Sequence, residues 1–368
     1  MEESIDPQAP AHRRRSLGVL LKGVVIVLDE DPSAAGETPA IQHVANRPIA
    51  CHALESLAGA GVDELAVVAS ETSLAELRAC LEPDLTGGIK PTYLPLVGRN
   101  DLVGAIGAAA DFIGAEPSII HVGDGLLGQR LDRVLDLPGA ESADMTLVLH
   151  RDPNEGGRLG AVVERLLRVR ELGDSRSRLA LTGVCMFGQG VVERVARDGD
   201  ELALGAGLLE VADLLAGAGN TVEASVVPNW RRYRGDPLDL LELNRLVLDQ
   251  QRPRLDGMHQ EGNRIEGRVI IDPTATVSSS VVLGPCIIGA HAHVADSYIG
   301  PYTSIGAGAD IEGAEIVSSI IADGARIRHV NGRIEGSTIG RRSSIFRDFS
   351  LPRAMRLHVG DDVQVALQ

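Results

Sequence analysis

Aliphatic residues recur at every fifth or sixth position between Asn263 and Phe346, a spacing that constrains the fold more than any other feature of the chain. The recurring residues are Ile271, Val277, Leu283, Ile288, Val294, Ile299, Ile305 and Ile311, and, after a break, Ile321, Ile327, Ile334, Ile339 and Ile345. A period near six fits neither an α-helix, at about 3.6 residues per turn, nor an amphipathic strand, at about two. It predicts a solenoid of hexapeptide coils, in which each repeat buries its aliphatic residue against the coils above and below.

Strand-like and helix-like segments alternate through residues 22–150, which indicates βαβ units and a mainly parallel sheet. The apolar run that ends at Leu28 is typical of a strand buried on both faces. A helical pattern over Pro48–Gly61 and a strand over Glu64–Ser70 follow it. Ser73 and Glu76 have the spacing of a capping box that opens the next helix. Further strands are expected at 91–96, 117–124, 144–150 and 179–187, and further helices at 101–114, 190–196, 207–216 and 237–249.

Composition divides the 368 residues into a flexible N-terminal arm (1–21), an α/β domain (22–250), a polar linker (251–262), the solenoid (263–347) and a C-terminal tail (348–368). The net charge of −16 argues against a nucleic-acid partner, because a phosphate backbone requires a basic surface. No apolar run is long enough to span a membrane. The four scattered cysteines lack the spacing of a zinc site or a disulfide framework, so a reduced, cytoplasmic location is expected.

Long ordered motifs show which family the chain is similar to. They include "VANRPIACHALESLAGAGVDELAVV", "HVGDGLL", "LLELNRLVLD" and "DSYIGPYTSIGAGADIE". With these motifs the chain resembles the sugar-1-phosphate nucleotidylyltransferases, in the long actinobacterial form of glucose-1-phosphate thymidylyltransferase. The resemblance implies a Rossmann-like nucleotidyltransferase α/β sheet domain followed by a C-terminal left-handed parallel β-helix. It also implies transfer of a nucleotidyl group from dTTP or another nucleoside triphosphate to a sugar 1-phosphate, with Mg²⁺ as cofactor and release of pyrophosphate.

The same resemblance places the candidate site residues. Asp124, in "VGDG", matches the first of two metal-binding aspartates, and Gly123 precedes it. Gly160, Thr182 and Gly183 match positions of the pocket that holds the nucleotide sugar. An alternative for Asp124 is a carboxylate that ends a strand and is satisfied by nearby N–H groups. An alternative for the other three is strand geometry and close packing.

The phosphate-binding loop departs from the family pattern. A glycine-rich run with an arginine and a lysine is expected after the first strand, because backbone N–H groups and cations bind a triphosphate. Here the carboxylates of Asp29, Glu30 and Asp31 occupy that segment, and no arginine or lysine occurs between Lys22 and Arg47. The position of the phosphate-binding lysine falls on Pro39, which has neither a charge nor an N–H donor.

Four other functional positions also depart from the family. Leu96 and Asp101 replace the glutamine and glycine expected to recognise the base. Tyr233, in "RRYRGDP", replaces the second metal-binding aspartate, and Glu171 replaces the lysine expected to hold the sugar phosphate. We therefore expect a pseudoenzyme that keeps the fold and has lost most or all of the family reaction.

Three functions follow from these observations as alternatives. The first is a non-catalytic, homo-oligomeric protein that binds a nucleotide sugar or sugar phosphate, or that partners an active paralogue. The second is an active nucleotidylyltransferase with a rebuilt phosphate loop and a Mg²⁺ requirement. The third is a hexapeptide-repeat module, either a structural assembly module or an acyltransferase with His291 or His293 as general base.

Overall fold

The computed structural model describes residues 20–28, 38–85, 87–131, 143–151, 179–255, 258–259, 262–347 and 349. The chain divides into two compact units, Met1–Pro253 and Arg254–Gln368. All four cysteines are free thiols, and three of them are buried. Among the helices that the structure describes, none combines the length and the apolar character that a membrane span requires.

The first unit is built around a seven-stranded sheet. The strands of this unit are β1 (Lys22–Ile26), β2 (His43–Val44), β3 (Arg47–Pro48), β4 (Glu64–Ser70), β5 (Thr92–Leu96), β6 (Ser118–Val122), β7 (Gly125–Leu127), β8 (Met145–Arg151), β9 (Leu179–Phe187), β10 (Val222–Val227) and β11 (Trp230–Arg232). Its helices are α1 (Ile49–Gly59), α2 (Glu71–Leu81), α3 (Leu102–Ile113), α4 (Val191–Asp198), α5 (Leu208–Gly217) and α6 (Pro237–Gln250), with short 3-10 turns at Pro39–Ile41 and Gly199–Glu201.

The strand order is β10-β8-β9-β6-β1-β4-β5, and every neighbouring pair is parallel except the two that involve β9. Strand β1 lies between β4 and β6, so the chain builds the sheet first to one side of β1 and then to the other. The carboxyl end of β1 is therefore a topological switch point, where α/β sheets usually bind their ligands. Val24, Val25 and Ile26 are fully buried, as their continuous apolar run predicts.

Helix α2 begins earlier than the capping box predicts. Ser70 is the N-cap, and its hydroxyl accepts a hydrogen bond from the backbone N–H of Ser73 at 3.2 Å. Ser73 and Glu76 therefore lie inside the helix and do not open it. The sequence offers serine at both positions, and the end of strand β4 at Ser70 decides between them, because an N-cap requires an extended backbone.

The second unit consists of three sheets of short parallel strands. The strands are β12 (Arg254–Leu255), β13 (Met258–His259), β14 (Arg264–Glu266), β15 (Val269–Ile271), β16 (Thr276–Ser278), β17 (Val281–Leu283), β18 (Cys286–Ile288), β19 (His293–Ala295), β20 (Tyr298–Ile299), β21 (Thr303–Ile305), β22 (Asp310–Glu312), β23 (Glu315–Val317), β24 (Ile320–Ile321), β25 (Arg326–Arg328), β26 (Arg333–Glu335), β27 (Thr338–Ile339) and β28 (Ser344–Phe346). Residues that pair between successive coils lie 16 to 18 positions apart. The predicted fold class, an α/β sheet domain followed by a left-handed parallel β-helix, is confirmed.

The aliphatic residues of the repeat stack in three internal columns, one for each sheet, with two corrections to the predicted register. Val282 is fully buried and pairs with Ile299, whereas Leu283 is only partly buried. Ile316 is also fully buried and fills the apparent break in the repeat. Both differences arise because a coil is not always three equal repeats, so a fixed count of five or six loses the register.

The β-helix also begins earlier than predicted. Strands β12 and β13 pair with β15 and β16 and so belong to the first coil, although they lie within the segment 251–262 that the sequence predicts as a linker. Each of these strands has only two residues. Because Pro253 and Gly257, which favour turns, lie next to them in the sequence, the pattern predicted a linker. The N-terminal arm up to residue 19 and most of the tail, 350–368, lie outside the described residues.

Candidate functional site

A cavity of about 320 Å³ lies at the carboxyl ends of β1 and β6, at the switch point of the sheet. Val27 and Leu28, directly after β1, and Gly123 and Asp124, directly after β6, line the cavity. The loop after β5 contributes Asp101 to its wall. The location and the mixture of apolar and charged groups are those of a ligand site in an α/β protein.

The carboxylate of Asp124 is nearly buried and forms an ion pair with Arg232. Nε of Arg232 donates to Oδ2 of Asp124 at 2.6 Å, and Nη2 lies 2.6 Å from the same oxygen. The backbone N–H of Tyr233 donates to the carbonyl oxygen of Asp124 at 2.9 Å. The two positions that the resemblance assigns to metal-binding aspartates, 124 and 233, are thus adjacent, and the guanidinium of Arg232 contacts the carboxylate of Asp124.

The sequence prediction did not include Arg232. Its position follows from the two-residue period of a strand, which puts Arg232 on the same face as Trp230 and turns Arg231 to the other face. Arg231 accordingly forms an ion pair with Glu242 of α6 at 2.6 Å. The basic run "WRRYR" beside the expected metal aspartate was a usable signal for an arginine in the site.

Trp230 holds strand β11 in place. Its indole is almost fully buried and packs on Gly125 and Gly183. A Cβ atom at Gly125 would lie 2.4 Å from Cζ2 of Trp230, and one at Gly183 would lie 3.1 Å from it. These glycines therefore provide room for the indole. Gly183 is thus closely packed, a contact that does not test its predicted place in the sugar pocket.

The other predicted pocket residues lie in different surroundings. Gly123 lines the cavity, and a Cβ there would lie 3.0 Å from the side chain of Val25. Thr182 is buried, donates from Oγ1 to the carbonyl oxygen of Val148 at 2.7 Å, and is not among the described residues of the cavity wall. Gly160 and Glu171 lie outside the described residues. A nucleotide-sugar role for Gly123, Gly160, Thr182 and Gly183 stays a prediction.

On the base-recognition side, Asp101 serves as the N-cap of α3. Its Oδ1 accepts from the N–H of Gly104 at 2.9 Å, and its Oδ2 accepts from Gly205 at 2.8 Å and from Arg99 at 2.6 Å. Burial by itself would raise the pKa of Asp101, but these hydrogen bonds outweigh it and hold that pKa below the usual value. Arg99 also donates to the carbonyl oxygen of Ala203 at 2.6 Å, so the pair fastens the 199–205 loop beside the cavity.

The described residues of the phosphate loop place no positively charged side chain at the cavity. Residues 29–37, with the three consecutive carboxylates, lie outside the described residues. Pro39, at the position that the resemblance assigns to the phosphate-binding lysine, lines the cavity and brings no charge to it. Arg47, the first basic residue after the loop, is engaged elsewhere, because Nη1 and Nη2 bind the carboxylate of Glu55 at 2.8 and 2.7 Å.

No group of three or more histidine, cysteine, aspartate or glutamate side chains is arranged to hold a metal ion in the part of the chain that the structure describes. On the β-helix, His291 lies at a turn with φ of 56°, and His293 lies on β19. Both imidazoles are exposed. Their use as acyl-transfer bases stays an untested alternative.

His121 is fully buried beside Trp230, with ring centroids 5.7 Å apart. Nδ1 is 2.8 Å from the carbonyl oxygen of Val122 and donates to it, while Nε2 has no hydrogen-bond partner among the described residues. Burial lowers the pKa of His121 to about 4. The imidazole is therefore neutral in the folded protein near pH 7, and it packs beside Trp230 within the sheet.

This buried imidazole predicts a pH-dependent stability. Above pH 6.5 the side chain of His121 is neutral in both states, and between pH 6.5 and about 4 the unfolded chain takes up a proton that the folded chain does not. The free energy of unfolding should therefore fall as the pH is lowered through this window, by roughly 3 kcal/mol from His121 alone. Urea unfolding across the window measures it. His121→Gln should lose that part of the slope, and an unchanged slope in His121→Gln would contradict the assignment.

Comparison with known proteins identifies the family. The glucose-1-phosphate thymidylyltransferase of Streptomyces griseus is 33% identical over 335 residues, covering 86% of this chain and 90% of that protein. The corresponding protein of Streptomyces antibioticus is 30% identical over 332 residues, covering 88% of this chain and 92% of that protein. The chain belongs to the glucose-1-phosphate thymidylyltransferase family.

Two further comparisons concern a sequence relative and a solved structure. Agl11, a nucleotidyltransferase of low-salt glycan biosynthesis from Haloferax volcanii, is 29% identical over 336 residues, covering 88% of this chain and 92% of that protein. A crystal structure from Bacillus anthracis, assigned as a glucose-1-phosphate thymidylyltransferase and solved with sucrose, covers 64% of this chain and 98% of that protein. Its TM-score is 0.50 at 12% identity, so this likeness concerns the fold alone. No family model matches the chain.

Proposed function

We propose that this member of the thymidylyltransferase family binds a nucleotide sugar or sugar phosphate at the switch-point cavity and has lost most or all of the nucleotidyl-transfer activity. Its role is that of a regulatory or assembly subunit, as a homo-oligomer or together with an active paralogue. The observation that carries the proposal is the ion pair between Asp124 and Arg232. It occupies the carboxylate that the family resemblance assigns to a catalytic metal.

Electrostatics supports the loss of activity. Nucleotidyl transfer builds negative charge at the α-phosphate, so catalysis depends on cations and N–H donors placed around the phosphates. A glutamate in place of a phosphate-binding lysine, as at position 171, turns an attraction into a repulsion. At a separation of about 4 Å and an effective dielectric constant near 20, one such repulsion is about 4 kcal/mol. That energy corresponds to a rate loss of roughly a thousandfold.

Several parts of the reaction are changed together. The lysine position at Pro39, the second aspartate position at Tyr233 and the acidic segment Asp29–Asp31 each weaken the binding or the activation of a triphosphate. Their effects are not additive, since groups that act as a unit share one loss. The cavity itself is retained, with Gly123 and Asp124 at the carboxyl end of β6, and this favours binding without transfer.

Ligand-induced stabilisation tests the proposed function. Melting temperatures should be measured with a panel of nucleoside diphosphate glucoses, nucleoside triphosphates and sugar 1-phosphates. A bound ligand at about 100 times its Kd should add about 2.7 kcal/mol to the free energy of unfolding. We expect at least one nucleotide sugar to give this shift. The absence of a shift with every compound would contradict the binding function and leave assembly as the remaining role.

A further inference from the structure

One sheet of the β-helix, formed by β14, β17, β20, β23 and β26, has two rows of outward residues. Its middle residues, such as Val282 and Ile316, are fully buried inside the coils. The residues on either side of them therefore point outward, because successive side chains of a strand alternate between its two faces. The first row is Arg264, Val281, Tyr298, Glu315 and Arg333, in register from coil to coil. The second row is Glu266, Leu283, Gly300, Val317 and Glu335.

The centre of this outer face is apolar and flat. Val281, Leu283 and Val317 are partly exposed there. The ring of Tyr298 extends towards Gly300, where a Cβ atom would lie 3.1 Å from Cε1 of the ring. The aromatic side chain thus covers the position without a side chain and does not protrude. An apolar centre between charged ends is the usual anatomy of a protein–protein interface.

The two ends of the face have matching charges. Arg264 pairs with Glu266 on the same strand, with Nε and Oε1 2.8 Å apart. Arg333 shares its strand with Glu335, and its Nε lies 3.4 Å from Oε2 of Glu315 on the preceding coil. The paired side chains in both contacts are more than half exposed, so water or another protein can reach them. Each end therefore presents an arginine in the first row and a glutamate in the second row of one coil.

This pattern is complementary to itself in one orientation. If two copies meet face to face about a two-fold axis parallel to the solenoid, the first row of each copy faces the second row of the other on the same coil. Arg264 then faces Glu266, and Arg333 faces Glu335, which makes four ion pairs between the copies. A two-fold axis perpendicular to the solenoid at Tyr298 would instead set each row against itself in reverse order. Arg264 would then face Arg333, and such contacts between like charges are unfavourable.

We propose that the outer face of this sheet is a dimer interface, in which two copies of the chain pack with parallel solenoids about a two-fold axis. Val281 of each copy contacts Leu283 of the other, and the two Tyr298 rings meet near the axis. The inference rests on the proposed function in one respect, the homo-oligomer, and it adds the surface, the symmetry and the register of the coils. It does not depend on a ligand.

The size of the face sets the strength that we expect. Five coils with the spacing of neighbouring strands, about 4.8 Å, give a face roughly 20 Å long. Such a face is smaller than the roughly 800 Å² that each partner buries in a standard stable interface. We therefore expect a dimer that dissociates on dilution, with a Kd on the order of micromolar.

Sedimentation velocity of the full chain over a range of concentrations tests the interface. Arg264→Glu should raise the Kd of the dimer at least about tenfold, because two contacts between like charges replace two ion pairs. The double variant Arg264→Glu/Glu266→Arg exchanges the charges within one coil and should return the Kd to within about threefold of the wild type. The matched control is Arg326→Glu, the same reversal on β25 of a neighbouring sheet, which should dimerise like the wild type. All of these side chains are exposed, so the melting temperature of the monomer should hardly change.

The double variant also separates the two orientations. With antiparallel solenoids it would turn four contacts between like charges into ion pairs and tighten the dimer beyond the wild type, a result that would overturn the inference. An oligomer that Arg264→Glu leaves unchanged, or that Arg326→Glu weakens equally, overturns this interface and leaves the proposed function standing. A monomeric wild type overturns the inference and also removes the homo-oligomer from the proposed function. Ligand binding is measured separately by the melting experiments above, so its failure is distinguishable from all of these results.

Discussion

Replacement of Trp230 with alanine should lower the free energy of unfolding of the α/β unit by about 3–5 kcal/mol. The indole is 4% exposed and fills the space above Gly125 and Gly183, two positions without a side chain that could move in to close the cavity. Since Trp230 also anchors β11, its loss should also release Arg232 from Asp124 at the edge of the cavity.

Thermal and urea unfolding of Trp230→Ala measure this effect. For a unit of this size the melting temperature should fall by about 10 °C. Trp230→Phe is the control, because it keeps an aromatic ring over Gly125 and should cost much less. A loss below about 1 kcal/mol in Trp230→Ala would mean that the packing described around β11 contributes little.

A charged residue inside the β-helix should have an effect of similar or larger size. Ile311 is fully buried and lies in register with Val294 on the preceding coil and Ile327 on the following one. Ile311→Asp would place a carboxylate in this apolar column, at a cost of at least about 5 kcal/mol. If the homo-oligomer that we propose assembles through the β-helix, this variant should also lose its oligomeric state.

Circular dichroism and light scattering separate the two parts of that prediction. Ile311→Val removes one methylene group and should cost about 1 kcal/mol without changing the molar mass of the assembly. An Ile311→Asp variant that loses β-structure and keeps the wild-type molar mass would show that assembly depends on the other unit. Structural assembly through the coils would then be excluded as a role of the β-helix.

The repeat predicted the β-helix well because its signal is local and redundant. Each coil must bury an aliphatic residue at nearly the same point of its circuit, so Val277, Val294 and Ile311 report the same constraint independently. The register failed only at Leu283 and around Ile316, where a coil departs from equal repeats. The α/β alternation was predictable for a similar reason, since buried parallel strands such as β1 are continuous apolar runs.

The candidate site was less predictable, because it depends on contacts between residues that are distant along the chain. The resemblance identified Asp124 and Tyr233 as the paired positions, and their backbones are indeed hydrogen-bonded. It did not identify Arg232 as the partner of Asp124, since that contact spans 108 residues and requires the register of β7 with β11. The two-residue period of β11 puts Arg232 on the same face as the buried Trp230. The partner of Arg232 follows from this only when the pairing of β7 with β11 is known.

The central claim is that this family member binds a nucleotide sugar but does not make one at an appreciable rate. Pyrophosphate release in Mg²⁺, measured with several nucleoside triphosphates and sugar 1-phosphates on the preparation used for the melting experiments, tests it most directly. We predict a rate at least roughly a thousandfold below that of an active family member assayed in parallel, the effect of about 4 kcal/mol in the barrier. Mg²⁺-dependent release at a rate within about tenfold of the active enzyme would contradict the claim and establish a nucleotidylyltransferase with a rebuilt phosphate site.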